Sequence, residues 1–220
     1  MRSYYQDDLV VIYHADCREL LSSVEADVLV TDPPYGIALE NHGRRDGRRA
    51  NRDWTILNDG DGEVGQAVAD WAADQALPTV MFATPMRPWR GEWRQFLVWD
   101  KGEHVAGGGD VATCWKPTWE LIQVARTGPL NGRRDSAVIH INAVAADYAL
   151  HPAPKPVALM KYLLVKIGGG TVLDPFMGSG STLVAAKSLN RRAIGIELEE
   201  RWCESAARRC SQGVLGLGAS

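Results

Sequence analysis

Short apolar runs and helical stripes alternate along this chain. Residues 9–13, Leu-Val-Val-Ile-Tyr, predict a strand ending at His14-Ala15-Asp16-Cys17, and a helix is expected over about 18–23. The next predicted strand, 27–31, holds Val28-Leu29-Val30 and is stopped abruptly by two prolines. This strand–helix–strand rhythm predicts a parallel sheet in an α/β protein. A helix is expected over 64–76, and strands over 78–83, 96–99, 119–125 and, more briefly, 138–141. The last third is the most regular. Val157, Met160, Leu163, Leu164 and Ile167 form a helical stripe behind Pro156, which suits the first helical position. Gly168-Gly169-Gly170 stands where a left-handed cap is usual. A strand over 171–173, a glycine loop, a helix over 182–189 and a strand over 192–196 ending in Glu197 follow. The final helix opens with Glu199 and Glu200 and closes near Arg208 and Arg209, each charge on its favoured side of the macrodipole. The whole chain, 1–220, is expected to be one catalytic-size domain.

Two stretches break the pattern. Residues 36–62 are polar, glycine-rich and without periodicity, and they carry Arg44, Arg45, Arg48, Arg49 and Arg52. Residues 126–150 contain Gly132-Arg133-Arg134. Loops this long in a compact domain are functional or disordered.

Composition is ordinary, with 45% hydrophobic and 23% charged residues. The net charge of −3 gives no global basic field, so a nucleic-acid partner has to be met by a local patch. Eight tryptophans is a high count, and several fall outside the predicted strands and helices. Cys17, Cys114, Cys203 and Cys210 show neither C-x-x-C pairing nor zinc-ligand spacing, and read as reduced thiols of a cytoplasmic protein needing no metal. The first residues lack an apolar signal core, and no apolar run is long enough for a membrane span.

The chemistry concentrates at two places. Thr31-Asp32-Pro33-Pro34-Tyr35 is a stiff extended turn after a buried strand, carrying one acid, one ring and free carbonyls. These groups suit a flat aromatic amine: Tyr35 stacks on its face, while Asp32 and a carbonyl accept its two N–H bonds. The plain alternative is a strand-ending turn. Far downstream, Asp174-Pro175-Phe176-Met177-Gly178-Ser179-Gly180-Ser181-Thr182 links a strand to a helix, and Glu197 ends the following strand. Together these form a mononucleotide-binding unit whose acid pairs with ribose hydroxyls. A nicotinamide site wants a third glycine where Leu183 stands, and a phosphate loop wants a lysine that does not come before Lys187. A nucleoside with an amino-acid tail fits better. The alternative is a glycine turn that only packs a helix on a strand.

With both stretches in hand, the sequence resembles the amino-group DNA methyltransferases that use S-adenosylmethionine, in the permuted class where Asp-Pro-Pro-Tyr comes first and the cofactor loop last. Ala15-Asp16-Cys17, His151-Pro152-Ala153-Pro154-Lys155-Pro156 and Arg192-Ala193-Ile194-Gly195-Ile196-Glu197 extend the likeness in the right order. The resemblance implies a Rossmann-like, seven-stranded, doubly wound sheet. It places S-adenosylmethionine over Asp174, Phe176, Gly178 and Gly180, with Glu197 on the ribose, Asp16 near the adenine and Lys155 near the methionine end. Alternatives are an N-cap role for Asp16 and a solvated Lys155; His151 reads as structural.

The resemblance implies methyl transfer to an exocyclic base amine, with Asp32, Pro33, Pro34 and Tyr35 catalytic and the target base flipped from double-stranded DNA. Asp at the first motif position leans toward adenine N6 over cytosine N4. A catalytically inactive DNA-binding relative, or an enzyme acting on a protein or RNA amine, are the other readings. Arg44, Arg45, Arg48, Arg49, Arg52, Arg133 and Arg134 are the phosphate-contacting candidates, against a solvated loop as alternative. The window for target recognition, 126–150, is short for reading several base pairs. That leaves a brief recognition site or a partner subunit, as in a homodimer.

Overall fold

The computed structural model describes residues 2–36, 62–102, 115, 118–126, 134–144 and 154–212. Among these residues nine strands join one sheet: β1 (Tyr5–Gln6), β2 (Val10–His14), β3 (Val28–Thr31), β4 (Thr79–Ala83), β5 (Gln95–Asp100), β6 (Trp119–Ala125), β7 (Val138–His140), β8 (Val172–Asp174) and β9 (Ala193–Glu197), in the spatial order β1-β2-β9-β8-β3-β4-β6-β5-β7. The stretch from β2 to β4 is parallel throughout, and β6 lies antiparallel between β4 and β5. Those seven strands, from β2 to β5, are the expected sheet. Two-residue β1 and three-residue β7 extend its edges. Nothing in the pattern predicts β1, because two residues show no alternation.

Helices cover both faces, which is why β3 reads as an unbroken apolar run: all four of its residues are buried. Val28 and Val30 face α3 (Val157–Ile167), α4 (Ser181–Ser188) and α5 (Glu200–Ser211), in a cluster with Phe82, Leu159 and Leu183. Leu29 points the other way, to Cys17 and Leu20 of α1 (Cys17–Leu20) and to Val64 and Val68 of α2 (Glu63–Asp74). Each fully buried aliphatic side chain of this kind contributes roughly 1.5–3 kcal/mol.

Some local expectations shift. The helix expected over 18–23 is α1 followed by a single 3-10 turn, Leu21–Ser23. Pro156 caps α3 with an extended ψ of 132° rather than opening it. Gly168 has φ +102° but ψ −175°, so the chain leaves α3 in an extended direction and not through a left-handed cap. Two of the tryptophans are anchors: buried Trp89 donates its indole N–H to the Phe82 carbonyl (2.8 Å), and buried Trp99 to the Ile141 carbonyl (2.7 Å). Gly65 of α2 is required by the first of these, since a Cβ there would lie 2.4 Å from the Trp89 ring. Cys17, Cys203 and Cys210 are buried free thiols, with burial pushing them up to about 12, 12 and 11, so none is a thiolate nucleophile; Cys114 lies outside the described residues. Among the described residues no helix is long and apolar enough to cross a membrane.

Candidate active site

The parallel strands β2, β9, β8, β3 and β4 all deliver their carboxyl ends to one edge of the sheet, where the two chemical stretches meet. β8 lies beside β3, and the Thr31 hydroxyl donates to Asp174 Oδ1 at 2.6 Å. Phe176 N–H donates to the same oxygen at 3.2 Å. Asp174 is buried; burial pushes its carboxyl up to about 6, against the pull of the Thr182 and Thr31 hydroxyls. The acid expected to touch cofactor is thus turned inward, where it fastens the glycine loop to the strand bearing Asp32.

The loop itself closes on Glu197. Gly178 N–H donates to Glu197 Oε2 (3.0 Å), and Glu199 N–H to Oε1 (2.8 Å). Burial nevertheless pushes the Glu197 carboxyl up to about 7. Gly180 caps α4 at φ +80°, and a Cβ there would lie 2.8 Å from that of Ala206, so α5 packs directly on the loop. From α5, Arg209 reaches the Ser179 carbonyl (2.6 Å). Lys187 pairs with Asp7 (2.5 Å) and donates to the Cys210 carbonyl, so it is no phosphate clamp. Phe176 is half-buried beside the loop. Asp16 lies just beyond β2, whose His14 is in register with Glu197. It is an N-cap, accepting Arg18 N–H at 3.0 Å and pairing with the Arg18 guanidinium at 2.5 Å.

At the Asp-Pro-Pro-Tyr turn the side chains form a charged cluster. The Tyr35 hydroxyl donates to Asp32 Oδ1 (2.6 Å) and lies 3.4 Å from Glu120 Oε2. Lys155 pairs with Asp32 Oδ2 and with Glu120 Oε2 (3.2 Å), while Lys101 pairs with Glu120 Oε1 (3.3 Å). The Lys155 ammonium also sits 5.0 Å from the centre of the Phe82 ring. Its side chain is 10% exposed, which rules out the solvated alternative; the structure places it on Asp32. Burial opposes charge on every member. On Asp32, burial outweighs the Lys155 charge, and with Glu120 nearby the carboxyl is raised. On Glu120, the Lys155 and Lys101 charges overcome burial and hold the carboxyl low. Lys155 is raised because Asp32 and Glu120 more than offset its burial. The Tyr35 phenol is pushed well above 10 by burial and by both acids, so it remains a donor.

Sequence reasoning missed Glu120, and with it Lys101. The one signal for Glu120 was an acid near the start of an otherwise strongly apolar strand, β6. Arg134 is exposed and lies away from the cluster: its neighbour Asp135 pairs with Lys166 (2.6 Å), at the end of α3 opposite Lys155. Arg44, Arg45, Arg48, Arg49, Arg52, Arg133 and His151 lie outside the described residues.

Fold and edge geometry define a class I, Rossmann-like methyltransferase architecture. The chain belongs to the DNA methylase family of N6 and N4 methyltransferases, whose model matches residues 98–208, just over half of its length. It is 48% identical over 81 residues to the type II methyltransferase M.HindIII of Haemophilus influenzae, covering 36% of this chain and 24% of that protein. It is 43% identical over 61 residues to M2.DpnII of Streptococcus pneumoniae, covering 27% and 23%. The matches thus span about a quarter of the length of these curated relatives. M1.HpyAVI, solved as its SAM complex, superposes with a TM-score of 0.61 at 21% identity, covering 91% of this chain and all of that one. PvuII DNA methyltransferase, described as cytosine-N4-specific, superposes with a TM-score of 0.67 at 14% identity, covering 100% and 91%.

Proposed function

We propose that this protein methylates the exocyclic N6 of adenine in double-stranded DNA, using S-adenosylmethionine and a flipped target base. The observation that carries this reading is the Thr31–Asp174 hydrogen bond. It locks an acid-bearing Pro-Pro turn against a glycine loop that ends on a half-buried glutamate. S-adenosylmethionine supplies an electrophilic methyl group on a sulfonium. Phe176, Gly178, Gly180 and Glu197 would hold it, with Asp16 beside its base and Asp174 supporting the loop from beneath. The donor set fits: a desolvated carboxylate at a strand end accepts from ribose hydroxyls, and Lys187, the lysine that follows the glycine loop, is held by Asp7 and not ready for a pyrophosphate.

An exocyclic amine is a poor nucleophile because its lone pair is delocalised into the ring. Asp32 and the Pro33 carbonyl accept its two N–H bonds and draw the nitrogen toward a tetrahedral, nucleophilic geometry. Asp32 must be ionised for this, and the Lys155 charge favours that form against the burial that disfavours it. Tyr35 presents its ring to the base while its hydroxyl orients Asp32. Arg44, Arg45, Arg48, Arg49 and Arg52, directly after this turn in sequence, would meet phosphates. Asp at position 32 favours adenine; cytosine N4 is the second reading, within the same family. Single-molecule sequencing of DNA from cells expressing the protein tests both. N6-methyladenine in one sequence context is expected, N4-methylcytosine would move the target to the second reading, and no modified base would refute the activity.

A further inference from the structure

β4 runs parallel to β3, so both strands end on the same edge, about 4.8 Å apart. Where β3 gives way to Asp32-Pro33-Pro34-Tyr35, β4 gives way to Thr84-Pro85-Met86-Arg87. This second turn is closed on itself. Arg87 N–H donates to the Thr84 carbonyl (3.1 Å), Met86 N–H donates to the Thr84 hydroxyl (3.4 Å), and Thr84 and Arg87 form an antiparallel bridge. Pro85 fixes its own φ and stiffens the tip.

The turn is braced from both sides. Arg87 Nη1 donates to the carbonyl of Gly36, the residue following Tyr35 (2.5 Å). Trp89, buried behind the turn, takes its backbone N–H to Gln123 Oε1 (2.7 Å), and Gln123 Nε2 donates back to the Trp89 carbonyl (3.1 Å). Gln66 of α2 does the same for Arg90, accepting its N–H at 2.9 Å and donating to its carbonyl at 3.2 Å. Despite this rigid support, Met86 at the tip is 87% exposed, with exposed Pro85, Arg87 and Arg90 around it. Met86 is thus an apolar side chain held out in water on a braced turn, between Arg87 and Arg90 in sequence and one strand away from a site for a flipped base, and it serves no packing need among the described residues.

We propose that the 84–87 turn is a preformed wedge for duplex DNA, in which Met86 enters the base stack as the target nucleotide leaves it and Arg90 meets a flanking phosphate. This rests on the reading of Asp32 as the centre of base methylation. A base that rotates out leaves its neighbours unstacked and its partner unpaired. An unbranched, polarizable side chain can fill that gap and keep the duplex open. Because the turn is already rigid, little ordering is required when it inserts. The Gly36 contact of Arg87 sets the distance between wedge and amine site.

The test uses a duplex carrying the sequence context found in cells, and the same duplex with a mismatch opposite the methylated base. On the matched duplex Met86→Ala should lower the single-turnover rate by about tenfold, and Met86→Leu should recover it. On the mismatched duplex, where opening is already cheaper, the Met86→Ala deficit should shrink markedly. Arg90→Ala should reduce the slope of log affinity against log salt by about 0.9. A Met86→Ala rate equal to the wild type on the matched duplex, or a deficit of the same size on both duplexes, overturns the wedge and leaves the methyltransferase reading standing. If the wild-type protein modifies no DNA at all, that reading fails and takes the wedge with it.

Discussion

Lys155 bridges Asp32 and Glu120, two acids brought together from β3's end and from β6. It pairs with the carboxylate proposed to accept the amine, and Glu120 shares it. Removing either neighbour should therefore move the Asp32 titration, in opposite directions. Lys155→Met takes away the charge that lowers the Asp32 carboxyl, so the acidic limb of the single-turnover pH profile should move to higher pH. Glu120→Gln takes away a charge that raises it, so that limb should move to lower pH. Lys155→Met also leaves half-buried Asp32 without its cation and Glu120 with Lys101 alone, and a stability loss of roughly 1–3 kcal/mol is expected in denaturant titrations. Limbs that move together would show that Lys155 and Glu120 affect the fold and not Asp32.

Asp32 and Tyr35 should have separable roles. Asp32→Ala should slow the chemical step by roughly 10²–10³-fold, the scale for losing one preorganised group. Tyr35→Ala should weaken capture of the base by roughly 1–3 kcal/mol through the lost stack. Tyr35→Phe keeps the ring but removes the 2.6 Å hydrogen bond to Asp32. Such a bond to a charged group is worth about 1.5–3 kcal/mol, so a loss of at least about tenfold is expected. Single-turnover methylation measures all three. A wild-type rate in Asp32→Ala would mean that the chemistry happens elsewhere.

Much of this site was legible because it follows the backbone. A strand buried on both faces reads as a near-continuous apolar run, so Val28-Leu29-Val30 of β3 and the proline stop behind Thr31 stand out, and the order strand, glycine loop, helix, strand, acid fixes where Glu197 falls. What escaped depends on which strands are neighbours. Glu120 meets Lys155 only because antiparallel β6 inserts between β4 and β5 and brings its start to the carboxyl edge. Arg134 precedes β7, the sheet's outermost strand on that side, a placement set by strand order that the residues around it do not announce. The inward turn of Asp174 depends on a hydroxyl 143 residues away.

No divalent metal should be needed. A sulfonium methyl group is already electrophilic, and the residues around Asp32 move charge without a Lewis acid. Methylation in EDTA should proceed at the untreated rate. Loss of activity restored by magnesium or manganese would contradict the mechanism.

As the proposed ribose acceptor, Glu197 should link cofactor binding and stability through one half-buried carboxyl. Its value of about 7 in the folded protein lies above the ordinary 4.5, because burial disfavours the charged form. Between those values the folded state holds the proton more tightly than the unfolded state does. Stability therefore falls as pH rises from about 4.5 to 7 and is flat in this respect beyond. Asp174, at about 6, adds a decline of the same sign over a lower window. Glu197→Gln should flatten the wild-type slope between pH 5 and 7, read from urea midpoints without ligand. The ionised carboxylate is the better acceptor for ribose hydroxyls, so S-adenosylmethionine affinity should rise with pH through about 7. That rise should vanish in Glu197→Gln, and Glu197→Ala should weaken binding by roughly 1.5–3 kcal/mol. Calorimetry across this range, on protein shown to be folded, measures both effects. Unchanged affinity in Glu197→Ala would remove this residue from the cofactor site, while a flattened stability slope alone would mark it only as a buried acid holding Gly178.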